Sequence, residues 1–399
     1  MSRAIVLDTD MASDVDDALC LALALASPEL EILGVTHVGR EVDLRARVTR
    51  RLLELAGRTE IPVFAGCRVP LLAGSGFNWF GHEGEGILEP GSDPPLERAH
   101  AVDALLELSR RRPGIEIVAV GPLTNLAVAL ALDPDFASRI GRLTLMGGHL
   151  REVSYRGRVF PHGVDYNLCS DPHASLLVLR SGIPTTLVTA DVTLRTGLSE
   201  ADASRIEIAG TELHAALARA LRIWTPVQRR LFTPPGAPPD DNAAFLHDPL
   251  TLACVYDESF CRFEALEIEP AIENGVFRTL ERAGRRADVP DALRDGGGRS
   301  ALRRAFRRAR ALSRLADLPQ QTRQGAQVGD REVRPQLARR EWSAALADVH
   351  RAHSRGARRR HVRAQLVADE DRALDGNAQL AQDREDHRGI GLAPTEVRR

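Results

Sequence analysis

The chain has 399 residues with 53 basic and 55 acidic side chains, for a formal net charge of −2. That length suits one large α/β domain or two smaller ones, and so balanced a charge argues against a nucleic-acid or membrane-surface role. No stretch approaches the ~20 apolar residues of a membrane span. The first strand is read as beginning by Arg3, so no signal peptide is expected. All the basic residues are arginine, a mark of GC-rich coding more than of physical adaptation. Cys20, Cys67, Cys169, Cys254 and Cys261 are odd in number and lack CxxC spacing, so neither a disulfide framework nor a zinc site is indicated and a reducing cytoplasm is expected.

The first predicted element is a buried parallel strand, Ala4-Ile5-Val6-Leu7, followed at Ala18 to Ala26 by a helix. Asp8, Asp10, Asp14, Asp16 and Asp17 lie on the turn between them, at the carboxyl end of a strand, where open α/β sheets place their ligands. Five acids within ten residues repel one another and are costly to desolvate. Because no lysine is present and no arginine lies between Arg3 and Arg40, a divalent cation is the economical compensation. Oxygen-only ligands point to Ca²⁺ or Mg²⁺. An EF-hand would need Gly and Glu where Ser13 and Leu19 stand.

Further strands are expected at Glu31–Thr36, Ile61–Phe64, Ile115–Val120, Leu143–Met146 and Thr185–Val188, with helices at Asp43–Ala56, Ala101–Arg111, Leu123–Leu132, Pro172–Arg180 and Thr211–Leu231. This alternation predicts an open, mainly parallel, doubly wound α/β sheet with helices on both faces. Gly121-Pro122-Leu123-Thr124-Asn125 is a strand-to-helix turn with Pro122 suited to the first helical position. The turn can leave a backbone carbonyl such as that of Thr124 facing a hard cation. Asp165-Tyr166-Asn167 precedes an Asp171-Pro172 helix start, and Asp165 and Asn167 offer an acceptor and an amide suited to sugar hydroxyls. His247-Asp248-Pro249-Leu250 opens another helix; Asp248 is a candidate remote carboxylate and His247 a candidate acid near neutral pH. His82 sits on a Gly-rich loop able to fold over a base, or simply on a surface loop. Trp79 and Trp224 suit base stacking, although a core role is commoner for tryptophan.

After Gly275 the composition changes. Isoleucine occurs once, at Ile390, and the aromatics are Phe277, Phe306 and Trp342. Too little apolar surface is present there to offset ordering entropy. The expected organisation is a catalytic domain over 1–280 and a tail over 281–399, read either as an arginine-rich appendage for an acidic partner or, preferably, as a segment without a native fold.

Taken together, Asp8 to Leu19, Gly121 to Ala127, Met146-Gly147-Gly148, Asp165 to Pro172 and His247 to Leu250 resemble the inosine-uridine preferring nucleoside hydrolase family, in its order and at similar spacing. The resemblance implies hydrolysis of the N-glycosidic bond of a ribonucleoside with tightly bound Ca²⁺. By that resemblance Asp10, Asp17, Asp248 and the carbonyl of Thr124 hold the metal, and Asp10 is also the base acting on the calcium-bound water. Asp16 contacts the ribose 2′-hydroxyl and Asn167 and Asp165 its 3′ and 5′ sides; Glu41 stands at the ribose-binding position with an acceptor but no amide donor, and His82, from its loop alone, is a further candidate beside the base. His247 assists the leaving base, and Asp8 orients the metal loop. A homodimer or homotetramer is implied as well.

The chain also departs from the family pattern. Ala12 replaces the usual glycine, and two extra residues in the opening leave Asp14 without a counterpart, so that a solvent-facing acid is expected there. Glu41 stands for an asparagine, and the strand that normally follows Gly275 is expected to be lost into the tail. A non-catalytic ribose- or nucleoside-binding protein is the alternative reading. A phosphotransfer enzyme of the haloacid dehalogenase type would need a lysine that the chain lacks.

Overall fold

The computed structural model describes residues 2–281 except 73–76, 78, 79, 90, 239 and 267. The expectations for Trp79 and for the tail beyond residue 281 lie outside the described residues.

In chain order the elements are β1 (Arg3–Thr9), α1 (Asp16–Ala26), β2 (Leu30–His37), α2 (Val42–Leu55), β3 (Val63–Phe64), α3 (Ala101–Arg111), β4 (Ile115–Ala119), α4 (Thr124–Leu132), α5 (Phe136–Arg139) and β5 (Ile140–Met146). There follow β6 (Val153–Tyr155), β7 (Arg158–Phe160), α6 (Tyr166–Ser170), α7 (Pro172–Leu179), β8 (Thr185–Val188), α8 (Ala190–Thr193) and β9 (Gly197–Ser199). The last are α9 (Glu200–Ile208), α10 (Glu212–Phe232), β10 (Asn242–Phe245), α11 (His247–Tyr256), β11 (Ile268–Glu273) and β12 (Val276–Glu281).

Six strands form one sheet in the order β3-β2-β1-β4-β5-β8, and every pairing in it is parallel. The run of strands reverses between β1 and β4, so the crevice beyond the carboxyl ends of these two is the switch point at which doubly wound sheets bind ligands. All the strands and helices expected of this sheet are present. β1 earns its central place by composition: Ile5, Val6 and Leu7 are fully buried, as only a strand covered on both faces requires. Among the described residues no helix is long and apolar enough to cross a membrane.

The short antiparallel pairs, β6–β7, β9–β10 and β11–β12, were not expected. The last of them corrects the expectation that the strand after Gly275 is lost. Val276–Glu281 pairs in full register with Ile268–Glu273, and Phe277 and Thr279 are completely buried on its inner side. The amide of Thr279 donates to the Gly163 carbonyl at 3.2 Å, fastening the hairpin beside the loop that leads to Asp165. Two inward residues in an alternating strand suffice for this, even where the overall composition turns polar.

Candidate active site

The acid cluster forms where β1 ends. Asp8 pairs with Thr36 on one side and Ala119 on the other, and its carboxylate is sealed between the strands. Its Oδ1 accepts from Thr36 Oγ1 (2.6 Å) and from Asn125 Nδ2 (2.8 Å). The same amide group of Asn125 also donates to the His37 carbonyl at 2.9 Å, while its oxygen accepts from the Cys67 amide. Asp8 thus braces three strand ends rather than reaching outward, and burial pushes its pKa up to about 7.

Asp10 follows, nearly fully buried, with Oδ2 accepting from Ser13 Oγ at 2.8 Å. The chain then turns through Ala12, whose φ of 71° is left-handed, into the first turn of α1, where Asp16 and Asp17 face the positive end of the helix dipole. Carboxylate oxygens of Asp14, Asp16 and Asp17 lie within 4.8 Å of one another. Asp17 Oδ1 accepts from Thr9 Oγ1, and Asp16 Oδ2 accepts from the Asp248 amide at 3.1 Å. Asp248, in the first turn of α11, is buried against the same group.

Burial and then the mutual repulsion of these acids raise the pKa values of Asp17 and Asp248 well above the carboxylate range; Asp10 and Asp14 act on both. Burial also raises Asp10, against the pull of Arg45. Asp14 corrects the expectation of a solvent-facing acid. It keeps some surface open, yet it is enclosed enough that burial, followed by the charge of Asp10, lifts its pKa to about 8.

Gly121 closes the floor. A Cβ there would sit 2.7 Å from the Asp10 amide and 2.8 Å from Asp10 Oδ1, so only glycine lets the β4–α4 turn approach this closely. The turn carries Thr124, whose Oγ1 donates to Asp171 Oδ2 at 2.8 Å; that oxygen also accepts from the Leu71 amide. Asp171 thereby fixes the residue whose carbonyl the sequence pointed to.

On the far side of the turn Asn167 donates its amide to the carbonyls of Val120 (2.9 Å) and Met146 (3.1 Å). The sequence reading offered both an acceptor and an amide to a sugar; the amide is spent on the scaffold, and the carbonyl oxygen is what remains to offer. Asp165 caps α6, with Oδ1 accepting from the Leu168 amide at 3.0 Å. Its buried Oδ2 has no partner among the described residues, and burial raises its pKa to about 6.

His247 is half-buried, with Nδ1 2.6 Å from Thr193 Oγ1 and its ring 5.5 Å from that of Phe245. Burial lowers its pKa to about 4, so it is neutral at pH 7. A neutral imidazole can still donate a hydrogen bond from its N–H. Glu41 is exposed at the N-cap position of α2, in a left-handed conformation and without a side-chain cap bond, so the structure does not draw it into the cluster. His82 packs its ring 5.7 Å from that of Trp224 and 5.8 Å from that of Phe80. Trp224 is buried, in keeping with the core role.

One participant was missed altogether. Arg45 is fully buried, and its Nη1 donates to the carbonyls of Asp10 and Met11 (2.9 Å) and to Ser13 Oγ (2.9 Å). It lies on the inward stripe of α2 with Val42, Ala46 and Thr49. An arginine on an otherwise inward-facing stripe was the available signal.

The carboxylates of Asp14, Asp16 and Asp17 are close enough together that they could hold a hard cation. Asp10 and Asp248 are buried beside this group, and it contains no sulfur or imidazole of the zinc type.

The chain and its fold have known counterparts. A family model described as inosine-uridine preferring nucleoside hydrolase matches residues 5–334. A pyrimidine-specific ribonucleoside hydrolase, RihA, of Photobacterium profundum is 33% identical over 289 residues, covering 70% of this chain and 87% of its own. A probable uridine nucleosidase 2 of Arabidopsis thaliana is 30% identical over 263 residues, covering 64% of this chain and 77% of the relative. Among solved structures, a plant nucleoside hydrolase, PpNRh1, superposes with a TM-score of 0.63 at 25% identity, over 80% of this chain and 99% of that one.

Proposed function

Because the chain belongs to the inosine-uridine preferring nucleoside hydrolase family, whose members hydrolyse N-glycosidic bonds, we propose that it cleaves ribonucleosides to ribose and free base at the Asp10–Asp248 cluster, with Asp10 as the base that activates water. Asp10, Asp14, Asp17, Asp248 and the Thr124 carbonyl would hold a calcium ion. Calcium, when bound, acidifies the attacking water and offsets the charge of the gathered carboxylates.

The residues divide the remaining work. Asp10 takes the proton of the attacking water; Ser13 fixes its Oδ2, so the carboxylate is oriented before substrate arrives. Asp16, held by the Asp248 amide through Oδ2, has Oδ1 left for a sugar hydroxyl. The unpartnered Oδ2 of Asp165 and the carbonyl oxygen of Asn167 are acceptors for the remaining hydroxyls. Cleavage of a riboside passes through an oxocarbenium-like state, and the surrounding carboxylates stabilise its positive charge. His247 donates a hydrogen bond to the departing base.

The observation that carries this reading is the meeting of Asp248 with the acids of the chain's opening. Uridine and inosine are the substrates to try first, since relatives at 30% and 33% identity are named for uridine and pyrimidine ribonucleosides and the matching family for inosine and uridine. Reducing-sugar release is measured with the full chain before and after chelation and after calcium is restored, together with metal analysis of the purified protein. Calcium-dependent ribose release is expected; none from any common nucleoside or from nicotinamide riboside removes the reading.

A further inference from the structure

Arg45 is the largest side chain in the fully buried core, and its fork serves two loops at once. Nη1 binds the acid loop at the Asp10 and Met11 carbonyls and Ser13 Oγ, and Nε donates to the Arg40 carbonyl at 2.8 Å. Nη2 lies 4.0 Å from Glu83 Oε1. Glu83 is itself buried, and its two oxygens accept from the amides of Phe80 and Gly81, each at 2.7 Å. Those bonds shape the turn that carries His82. Gly39, with φ of 105°, passes close enough that an added Cβ would lie 3.5 Å from Arg45 Nε.

A chain of contacts therefore runs from Asp10 Oδ2 through Ser13 Oγ and the Arg45 guanidinium to Glu83 and the His82 turn. We infer that Arg45 is a positioning residue that couples the acid loop to the His82 loop, so that cation binding at the first and seating of the second are one linked equilibrium. The inference rests on the hydrolase reading of the site. Its physical basis is twofold. A buried charge cannot lose its partner cheaply, so Arg45 and Glu83 hold position together. A planar guanidinium also hydrogen-bonds the acid loop while holding its second nitrogen towards the Glu83 carboxylate in a fixed geometry, which a lysine ammonium of equal charge does not.

The test is a double-mutant cycle on the full chain, with calcium affinity by titration calorimetry and uridine kcat and KM as readouts. R45K keeps the charge and should still weaken calcium binding by about tenfold. E83Q, off the acid loop, should weaken it by about threefold or more and raise KM, while E85Q, which removes the same charge from an exposed position on the same loop, should change neither. R45K/E83Q should bind calcium within about twofold of R45K alone. Wild-type affinity in E83Q, an equal loss in E85Q, or losses that multiply in the double variant overturn the coupling. Should R45K fail to fold, the contrast of E83Q with E85Q decides. A wild-type chain that binds no calcium would remove the hydrolase reading itself, a result separate from any of these.

Discussion

The backbone amide of Asp248 donates to the carboxylate of Asp16 at 3.1 Å, joining residues 232 positions apart. The bond locks the first turns of α1 and α11 side by side and sets Asp17 and Asp248 into one field. It occupies one oxygen of Asp16 and leaves the other to the substrate role proposed above, so that the two roles are separable by mutation.

Asp16→Ala leaves the buried Asp248 amide without an acceptor and should cost about 1–3 kcal/mol of stability. Asp16→Asn retains a carbonyl oxygen and should cost under about 1 kcal/mol. Both should lose most activity, because the sugar hydroxyl meets no carboxylate in either. Urea denaturation beside uridine kinetics separates the two effects; equal stability losses would contradict the division of roles.

Asp10→Asn should lower kcat by about 10²–10⁴-fold, the usual worth of a positioned general base. The fold should persist, since the amide oxygen can still accept from Ser13 Oγ. Circular dichroism reports the fold, and retention of more than a tenth of the rate would exclude Asp10 as the base.

Without metal, stability should fall as pH rises from about 6.5 to about 8. Asp14 titrates near 8 and Asp8 near 7 in the folded chain, against 3.8 as the ordinary value. In that window the folded state binds more protons than the unfolded state, so raising the pH favours unfolding. His37 and His247, lowered to about 3 and about 4, act only below about 6.5, where their unfolded forms charge first and oppose the trend. Thermal unfolding of chelated protein across the window measures the slope, and added calcium should flatten or reverse it. A flat profile in chelator would show that the acids are not packed as described.

Ala12 adopts φ of 71° within the acid loop. A left-handed alanine costs roughly 1–2 kcal/mol, while glycine gives back about 0.5–1 kcal/mol in unfolded-state entropy. Ala12→Gly should therefore stabilise the chain by about 0.5–1 kcal/mol with calcium affinity retained. A lower Tm would mean the loop depends on the alanine methyl group.

Much of the fold was legible because sheet strands and their helices announce themselves locally. Ile5, Val6 and Leu7 require burial on both faces whatever surrounds them, and the alternation of such runs with helical stretches permits few topologies. The hairpin Ile268–Glu281 escaped notice because a two-stranded edge element needs only Phe277 and Thr279 turned inward.

Within the site, the chain's own order of residues determined which acids stand at the end of the first strand and that Asp248 opens a distant helix, since both follow from where strands stop and helices begin. Only the folded molecule decided that Asp14 turns inward, that Glu41 stays in solvent, that Asn167 spends its amide on Val120 and Met146, and that Arg45 holds the loop. The reason is one of range. Periodicities of two and 3.6 residues are written into neighbouring positions, whereas the direction of a loop side chain depends on partners tens to hundreds of residues away, met only when the sheet closes.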